Sequence, residues 1–224
     1  MNHKNNAFIQ EHTVAVFVHH PMCSVDSVNG VLQAFGEHYR LKIFTRHLVQ
    51  DDFFDDVDLV VFPGGDGEAS AFRYLLKNNA SLVKRYLQRG GKYLGICMGA
   101  YWAGKHYFDI LDNIDCFQYI KQPNTDIKRS YGTVAKVTWN HREEEMFFYD
   151  GTTFQGDLGT CDIIARYSNG DPMAIIQGNI GLIGAHPESL PKWYGETYPY
   201  LKDKYHDGRH HELLLDFVDR LCYN

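Results

Sequence analysis

Long apolar segments are missing from this chain of 224 residues. No stretch approaches the roughly 20 apolar residues that cross a bilayer, and the start has no charged-then-apolar signal peptide. Lysine and arginine form no run, and the formal charge is −6, which argues against a nucleic-acid partner. We therefore expect a cytoplasmic protein that binds neither nucleic acid nor a membrane.

Closely spaced cysteines are also missing. The five cysteines are an odd number without any Cys-x-x-Cys pair: Cys23, Cys97, Cys116, Cys161 and Cys222. This argues against a disulfide framework or a zinc knuckle and favours a reducing compartment. His206, His210 and His211 lie in a polar run, where we expect solvated side chains rather than an adventitious metal site. We predict no metal and no cofactor.

Glycine and proline are not in excess, and no segment is low in complexity. We expect a loose tail over residues 1–12 and a single domain over residues 13–224. Acidic residues concentrate between Asp51 and Asp66, where a solvated connection before a strand is the simpler interpretation than a functional patch.

Strand-like and helix-like segments alternate in the first half of the chain. Short β-branched runs predict strands near 13–18, 41–44, 57–62 and 93–96. Helical periodicity follows Ser24, a plausible cap, and recurs near 72–76, at 82–87 and from Gly99 onward. This alternation predicts an α/β fold with a mainly parallel central sheet and helices on both faces.

The pattern changes after about Asp109. The pattern of residues 131–184 predicts additional short strands. Turns at Asp150-Gly151, Asn169-Gly170 and Gly178-Asn179 separate them. A final helix places Leu214, Phe217, Val218 and Leu221 on one face. The segment 112–130 has the weakest pattern.

The most informative motif is Gly95-Ile96-Cys97-Met98-Gly99. Cys97 follows an apolar strand, precedes a helix and has a glycine two residues away on each side. A nucleophile elbow requires this arrangement, because the chain reverses sharply and small neighbours let strand and helix pass closely. A helix N-terminus also favours thiolate over thiol. A lone cysteine is more often a small core residue, but only Cys97 has this glycine pair.

A cysteine nucleophile needs a base, and the base needs an orienting group. Among twelve histidines, His186 stands out because it follows the apolar run 180–185 and begins His186-Pro187-Glu188. Residues two apart in an extended chain point the same way, and Pro187 discourages a helix. We predict that Glu188 orients His186 and that His186 faces Cys97.

The turn Pro63-Gly64-Gly65 follows the third predicted strand. Backbone N–H groups of Gly64 and Gly65, with that of Met98, would approach a developing negative charge and form an oxyanion site. Taken alone, the motif is more simply a tight turn.

These pieces in this order make the chain resemble the class I glutamine amidotransferase-like superfamily. Within it, the sequence looks most like the N-terminal domain of eukaryotic biotin–protein ligases and its stand-alone relatives. The segments that carry this resemblance are 60–65, 91–104, 148–154 and 184–188, and it extends from Val14 to the final helix.

The resemblance implies a flavodoxin-like fold and a role for each motif residue. Cys97 would be the nucleophile, His186 the base and Glu188 its orienting group. The oxyanion and substrate-binding N–H groups would come from Gly64, Gly65 and Met98.

The chain departs from the superfamily pattern directly after the elbow. True glutaminases usually continue with His-Gln, whose Gln helps to hold the substrate glutamine, whereas Ala100, Tyr101 and Trp102 follow here. This chain shows neither a synthetase half, which would consume ammonia, nor a biotin ligase catalytic half, so we do not expect biotin transfer. We expect a small-molecule substrate, with a synthetase-type or other protein as the candidate partner.

Two classes of function remain. The first is an amidotransferase-like enzyme or hydrolase with a cysteine nucleophile, acting on a small amide or peptide bond. The second is a non-catalytic ligand-binding or regulatory module of the biotin–protein ligase N-terminal type. The presence of Cys97, His186 and Glu188 together favours the enzyme.

We predict little or no glutaminase activity from the isolated chain. The charged ends of glutamine need polar partners in a site, and burying either end unpaired is costly. Ammonia release from glutamine should stay at background for the natural sequence, and the double variant Ala100→His, Tyr101→Gln tests whether the missing His-Gln pair or a missing partner is the cause. Robust release by the unmodified chain, abolished by Cys97→Ser, would contradict this prediction.

Overall fold

A mixed β-sheet organises the protein. The computed structural model describes residues 12–18, 25–65 and 69–223. In this part of the chain the main sheet has nine strands, of which five pair in parallel. In sheet order these five are β2 (Arg40–Phe44), β1 (Thr13–Phe17), β3 (Leu59–Phe62), β4 (Lys92–Ile96) and β11 (Ile180–Ile183).

The C-terminal half extends the same sheet with antiparallel strands. They follow β11 in the order β10 (Pro172–Gln177), β9 (Asp162–Tyr167), β6 (Thr133–Trp139) and β7 (Arg142–Phe148). The predicted α/β fold is confirmed, with its parallel strands in the N-terminal part and the additional short strands in the C-terminal half.

Helices cover both faces of the parallel strands, as predicted. Alternate side chains of each strand enter opposite cores: Val14 and Val16 face one, Ala15 and Phe17 the other. The first core packs against α1 (Val25–Phe35) and α5 (Arg209–Tyr223). The second packs against α2 (Phe72–Leu75), α3 (Ala80–Gln88) and α4 (Met98–Trp102). Burial on both faces explains why these strands are continuously apolar.

The region with the weakest sequence pattern contains a strand of a small second sheet. β5 (Ile114–Gln118) pairs antiparallel with β8 (Thr152–Gly156). Only Ile114 in β5 is fully buried, so the strand has little apolar alternation, and its partner lies far along the chain. A 3₁₀ turn, Tyr119–Lys121, follows.

The three predicted turns are present. Asp150, Gly170 and Gly178 have φ angles of 52°, 91° and 54°. A fourth turn was not predicted: Asn140 and His141 join β6 to β7 with φ angles of 45° and 68°. Two consecutive positive φ values are typical of a type I′ hairpin turn, which matches the twist of the strands.

Some expectations concern residues outside the described ranges, namely the tail before His12, the cap Ser24 and the thiol Cys23. The helix expected from Gly99 onward starts one residue earlier, and α4 is only five residues long. No helix within the described ranges is long and apolar enough to span a bilayer.

Gly99 sets how closely α4 approaches β3, and we predict that Gly99→Ala destabilises the fold. A methyl group at this position would overlap the backbone carbonyl of Phe62. Overpacking costs about 1–3 kcal/mol, and we expect about 3 kcal/mol of unfolding free energy here because a backbone atom cannot rotate away. Urea unfolding monitored by circular dichroism measures the change.

Gly195→Ala is the matched control, because a methyl group there meets no described atom within 4 Å. It should leave the urea midpoint nearly unchanged. Equal midpoints for the two variants would show that the elbow has room to relax.

Candidate functional site

The candidate residues converge at one edge of the sheet. Cys97 follows β4, Gly64 and Gly65 follow β3, and His186 comes three residues after β11. These three strands are neighbours and run parallel. Their carboxyl ends therefore bring the three loops together, at the edge where open α/β sheets bind ligands.

Cys97 lies in a strained turn. Its φ and ψ angles are 50° and −105°, a conformation that non-glycine residues rarely adopt. Its N–H donates to the carbonyl of Ile183 at 2.9 Å. Its thiol points to the carbonyl oxygen of Tyr149, 3.7 Å from the sulfur. The sharp strand-to-helix reversal expected from the flanking glycines is therefore present.

His186 lies between Cys97 and Glu188. The Nδ1 atom of His186 is 2.9 Å from Oε1 of Glu188, and both residues are buried. His186 and Cys97 line the same cavity, and their interaction affects the pKa of His186. Burial by itself lowers the pKa of His186, but the charges of Glu188 and Cys97 outweigh it and raise the pKa to about 10. These neighbours therefore favour the protonated imidazole.

A fourth residue, Ser27, was not predicted. Its Oγ–H donates to Glu188 Oε1 at 2.6 Å, and its Oγ accepts the N–H of Gly64 at 2.9 Å. Ser27 is fully buried in the first turn of α1, on the same face as Val31. A serine on the core-facing side of an amphipathic helix was the available sequence signal, because buried hydroxyls need partners.

The backbone N–H groups of the three predicted oxyanion residues, Gly64, Gly65 and Met98, have different surroundings. The N–H of Gly64 is bound to Ser27, so it does not face a substrate oxygen in this arrangement. Gly64 instead lets the imidazole approach, since a methyl group there would lie 2.6 Å from Cε1 of His186. Gly65 lines the cavity beside Cys97. Met98 is the first residue of α4, where an amide has no intrahelical acceptor.

The sulfur and the imidazole open onto a cavity of about 280 Å³. Much of its wall is aromatic, from Phe147, Tyr149, Trp193 and Tyr198. Two larger clefts lie elsewhere. One, of about 560 Å³, is beside Lys92 at the amino end of β4, and one, of about 820 Å³, is beside β6, β7 and the start of α5.

The three residues after the elbow do not line this cavity. Ala100 and Trp102 are fully buried in the second core, where Trp102 contacts Phe17, Phe62 and Phe72. The hydroxyl of Tyr101 points to the carbonyl of Gly151 at 3.3 Å. The bulk of Trp102 therefore fills the core, and any effect of these residues on a ligand is indirect.

The other cysteines in the described ranges are partly buried thiols that form no disulfide. Burial raises the pKa of Cys116 and Cys161, and it raises that of Cys222 to about 11. No group of three or more histidine, cysteine or acidic residues in these ranges is placed to hold a metal.

The histidines near α5 are not the solvated residues that we expected. His210 is buried and its ring stacks on that of His206 at 4.2 Å, because the start of α5 packs close to β7. His206 Nε2 contacts the carbonyl of Ser189 at 3.1 Å, and His211 Nε2 contacts that of Glu188 at 3.3 Å. These contacts brace the segment that carries Glu188.

Comparison with solved structures shows the class of fold. A glutamine amidotransferase from Thermotoga maritima superposes with a TM-score of 0.67 at 15% identity, covering 96% of this chain and 99% of that one. Another glutamine amidotransferase, from Methylobacillus flagellatus, gives a TM-score of 0.59 at 11% identity, over 94% of this chain and 92% of that one. At such low sequence identities the structural similarity is evidence for the fold alone. This protein therefore has the glutamine amidotransferase-like fold over nearly its whole length.

A comparison with models of protein families gives a more specific similarity for part of the chain. Residues 16–113 match the family described as biotin-protein ligase, N terminal. The matched segment is therefore similar to this family over a little less than half of the chain, and it includes Cys97 but ends before His186. No curated protein sequence gives a significant match.

Ser27 ties Glu188 to the Gly64 loop, and we predict that Ser27→Ala destabilises the protein. Losing a hydrogen bond to a buried charged group should cost about 1.5–3 kcal/mol of unfolding free energy. Urea unfolding measures this, and Ser81→Ala, at an exposed position of α3, is the control. If Ser27→Ala unfolds at the same urea concentration as Ser81→Ala, the hydroxyl does not support Glu188.

Proposed function

We propose that this protein is an amidotransferase-like enzyme or hydrolase that uses Cys97 as a nucleophile on a small amide or peptide bond. One observation carries the proposal: His186 shares a cavity with Cys97, and its Nδ1 atom lies 2.9 Å from Glu188 Oε1. A nucleophile, a proton carrier and an orienting carboxylate in this order are what acyl transfer requires.

The residues would divide the reaction into two steps. The Cys97 thiolate attacks the amide carbonyl carbon, and the N–H groups of Gly65 and Met98 stabilise the resulting oxyanion. His186 donates its proton to the leaving amine, and the C–N bond breaks to leave a thioester on Cys97. Water then adds to the thioester while His186 takes a proton from it, so that an acid is released and the thiolate is restored.

Glu188 and Ser27 would act through His186. The carboxylate fixes the ring so that Nδ1 is bonded and the other nitrogen is free for Cys97. It also balances the positive charge that the imidazole holds before it donates its proton. Ser27 positions this carboxylate from the opposite side.

A second candidate function is a non-catalytic ligand-binding or regulatory module. The contact between the Gly64 N–H and Ser27 favours it, because one of the expected oxyanion donors is occupied. In such a module the cavity would hold a ligand without turnover. A protein partner that moves the Gly64 loop would reconcile this contact with the enzyme.

Alkylation and turnover together test the proposal. After brief iodoacetamide treatment near neutral pH, we expect Cys97 to be labelled first, and His186→Gln should slow the labelling. Turnover of a panel of small amides should be lost in Cys97→Ser and fall by about 10²-fold or more in His186→Gln, the range for a general acid–base group.

Preferential labelling of Cys23 or Cys222, with Cys97 untouched, would contradict nucleophilic activation. Rapid labelling of Cys97 without turnover of any amide would favour the module. Ser81→Ala serves as the control for both measurements, because this side chain is exposed and lies outside the site.

A further inference from the structure

The charge of the cavity restricts what can bind beside Cys97. Of the described residues that line it, none is a lysine or arginine, and Asp26 contributes a carboxylate. Glu188 lies 2.9 Å from the His186 ring and offsets positive charge on it. Apart from His186, the described wall of the cavity therefore has no basic side chain to pair with a ligand carboxylate.

The aromatic wall favours a different kind of ligand. The ring of Phe147 lies 4.8 Å from that of Trp193 and 5.6 Å from that of Tyr198, and Trp193 in turn lies 5.4 Å from His186. Tyr149 remains 45% exposed. Aromatic faces bind apolar carbon, and they attract a cation that lies within about 6 Å of the ring centre.

Asp26 is the acidic residue of this wall. It forms an ion pair with a lysine that does not line the cavity. Lys192 Nζ lies 2.6 Å from Asp26 Oδ1, and the Lys192 side chain is half-exposed. An exposed ion pair of this kind contributes little to stability, so a ligand ammonium can replace the lysine at low cost. The formal charge of −6 also favours the approach of a cation.

We infer that the cavity selects small amides whose acyl part carries an ammonium group and an apolar or aromatic body, and that it excludes acyl groups with a free carboxylate. The inference rests on the proposed function, since it names the substrate class of the same site. Asp26 would bind the ammonium, the rings of Phe147, Tyr149, Trp193 and Tyr198 would hold the carbon body, and the amide carbonyl would face Cys97.

Binding to Cys97→Ser tests the ligand class without any chemistry. Three probes differ only in the substituent next to the amide carbonyl. They are phenylalanine amide, 3-phenylpropanamide and 2-carbamoyl-3-phenylpropanoate, which carry an ammonium, a hydrogen and a carboxylate. At mildly acidic pH, where the amine is protonated, calorimetry should give an affinity about tenfold higher for the ammonium than for the neutral probe. The carboxylate should bind weakest.

Variants of residues other than Cys97, His186 and Glu188 identify the groups that cause the preference for an ammonium. Asp26→Asn should remove the preference for the ammonium probe, and Lys192→Met should increase it by removing the competing cation. Tyr149→Ala should weaken all three probes alike, and its exposed side chain makes misfolding a minor concern. Equal affinities, a preference for the carboxylate or no binding of any probe would overturn the inference.

Turnover by the unmodified protein separates this inference from the proposed function. Selective binding of phenylalanine amide to Cys97→Ser, without hydrolysis by the natural sequence, would support the ligand class and refute the enzyme. Hydrolysis of the carboxylate probe in preference to the ammonium probe would support the enzyme and refute the ligand class.

Discussion

Glu188 is a fully buried carboxylate, and the site is built around balancing its charge. Its Oε1 accepts one hydrogen bond from Ser27 and one from His186, whereas its Oε2 has no partner within the described ranges. A buried ion that loses one of few partners is strongly destabilised. One oxygen atom therefore links the start of α1, through Ser27, to His186 in the segment after β11.

This balance also sets the state of His186. An isolated buried histidine would be neutral, because burial disfavours its charged form. The Glu188 carboxylate and the Cys97 sulfur reverse that preference and raise the pKa to about 10. The same carboxylate thus holds the ring in place and keeps a proton available beside the sulfur. Gly64 is part of the arrangement because only a residue without a side chain fits against the ring.

The position of β11 makes this contact possible. β11 is the last strand in the chain, yet it pairs in parallel with β4, opposite Ile96 at Ile183. The backbone N–H of Cys97 continues the ladder to Ile183. This pairing places His186 and Cys97 at neighbouring strand ends, although they are far apart in sequence. The antiparallel strands then attach to the far side of β11 and supply Phe147, whose carbonyl accepts the N–H of His186.

Local chemistry allowed the sequence to indicate the alternating strands and helices, the elbow at Cys97 and the pairing of His186 with Glu188 two residues away. The turns at Asp150, Gly170 and Gly178 followed from residue types that tolerate positive φ. Three features needed the tertiary structure, because each depends on a partner distant along the chain. β5 forms only against β8, Ser27 has its role only where α1 meets Glu188, and the direction of Trp102 is set by Phe17 and Phe62. Periodicity shows that a residue is buried, but packing between distant segments decides whether it faces the core or the cavity.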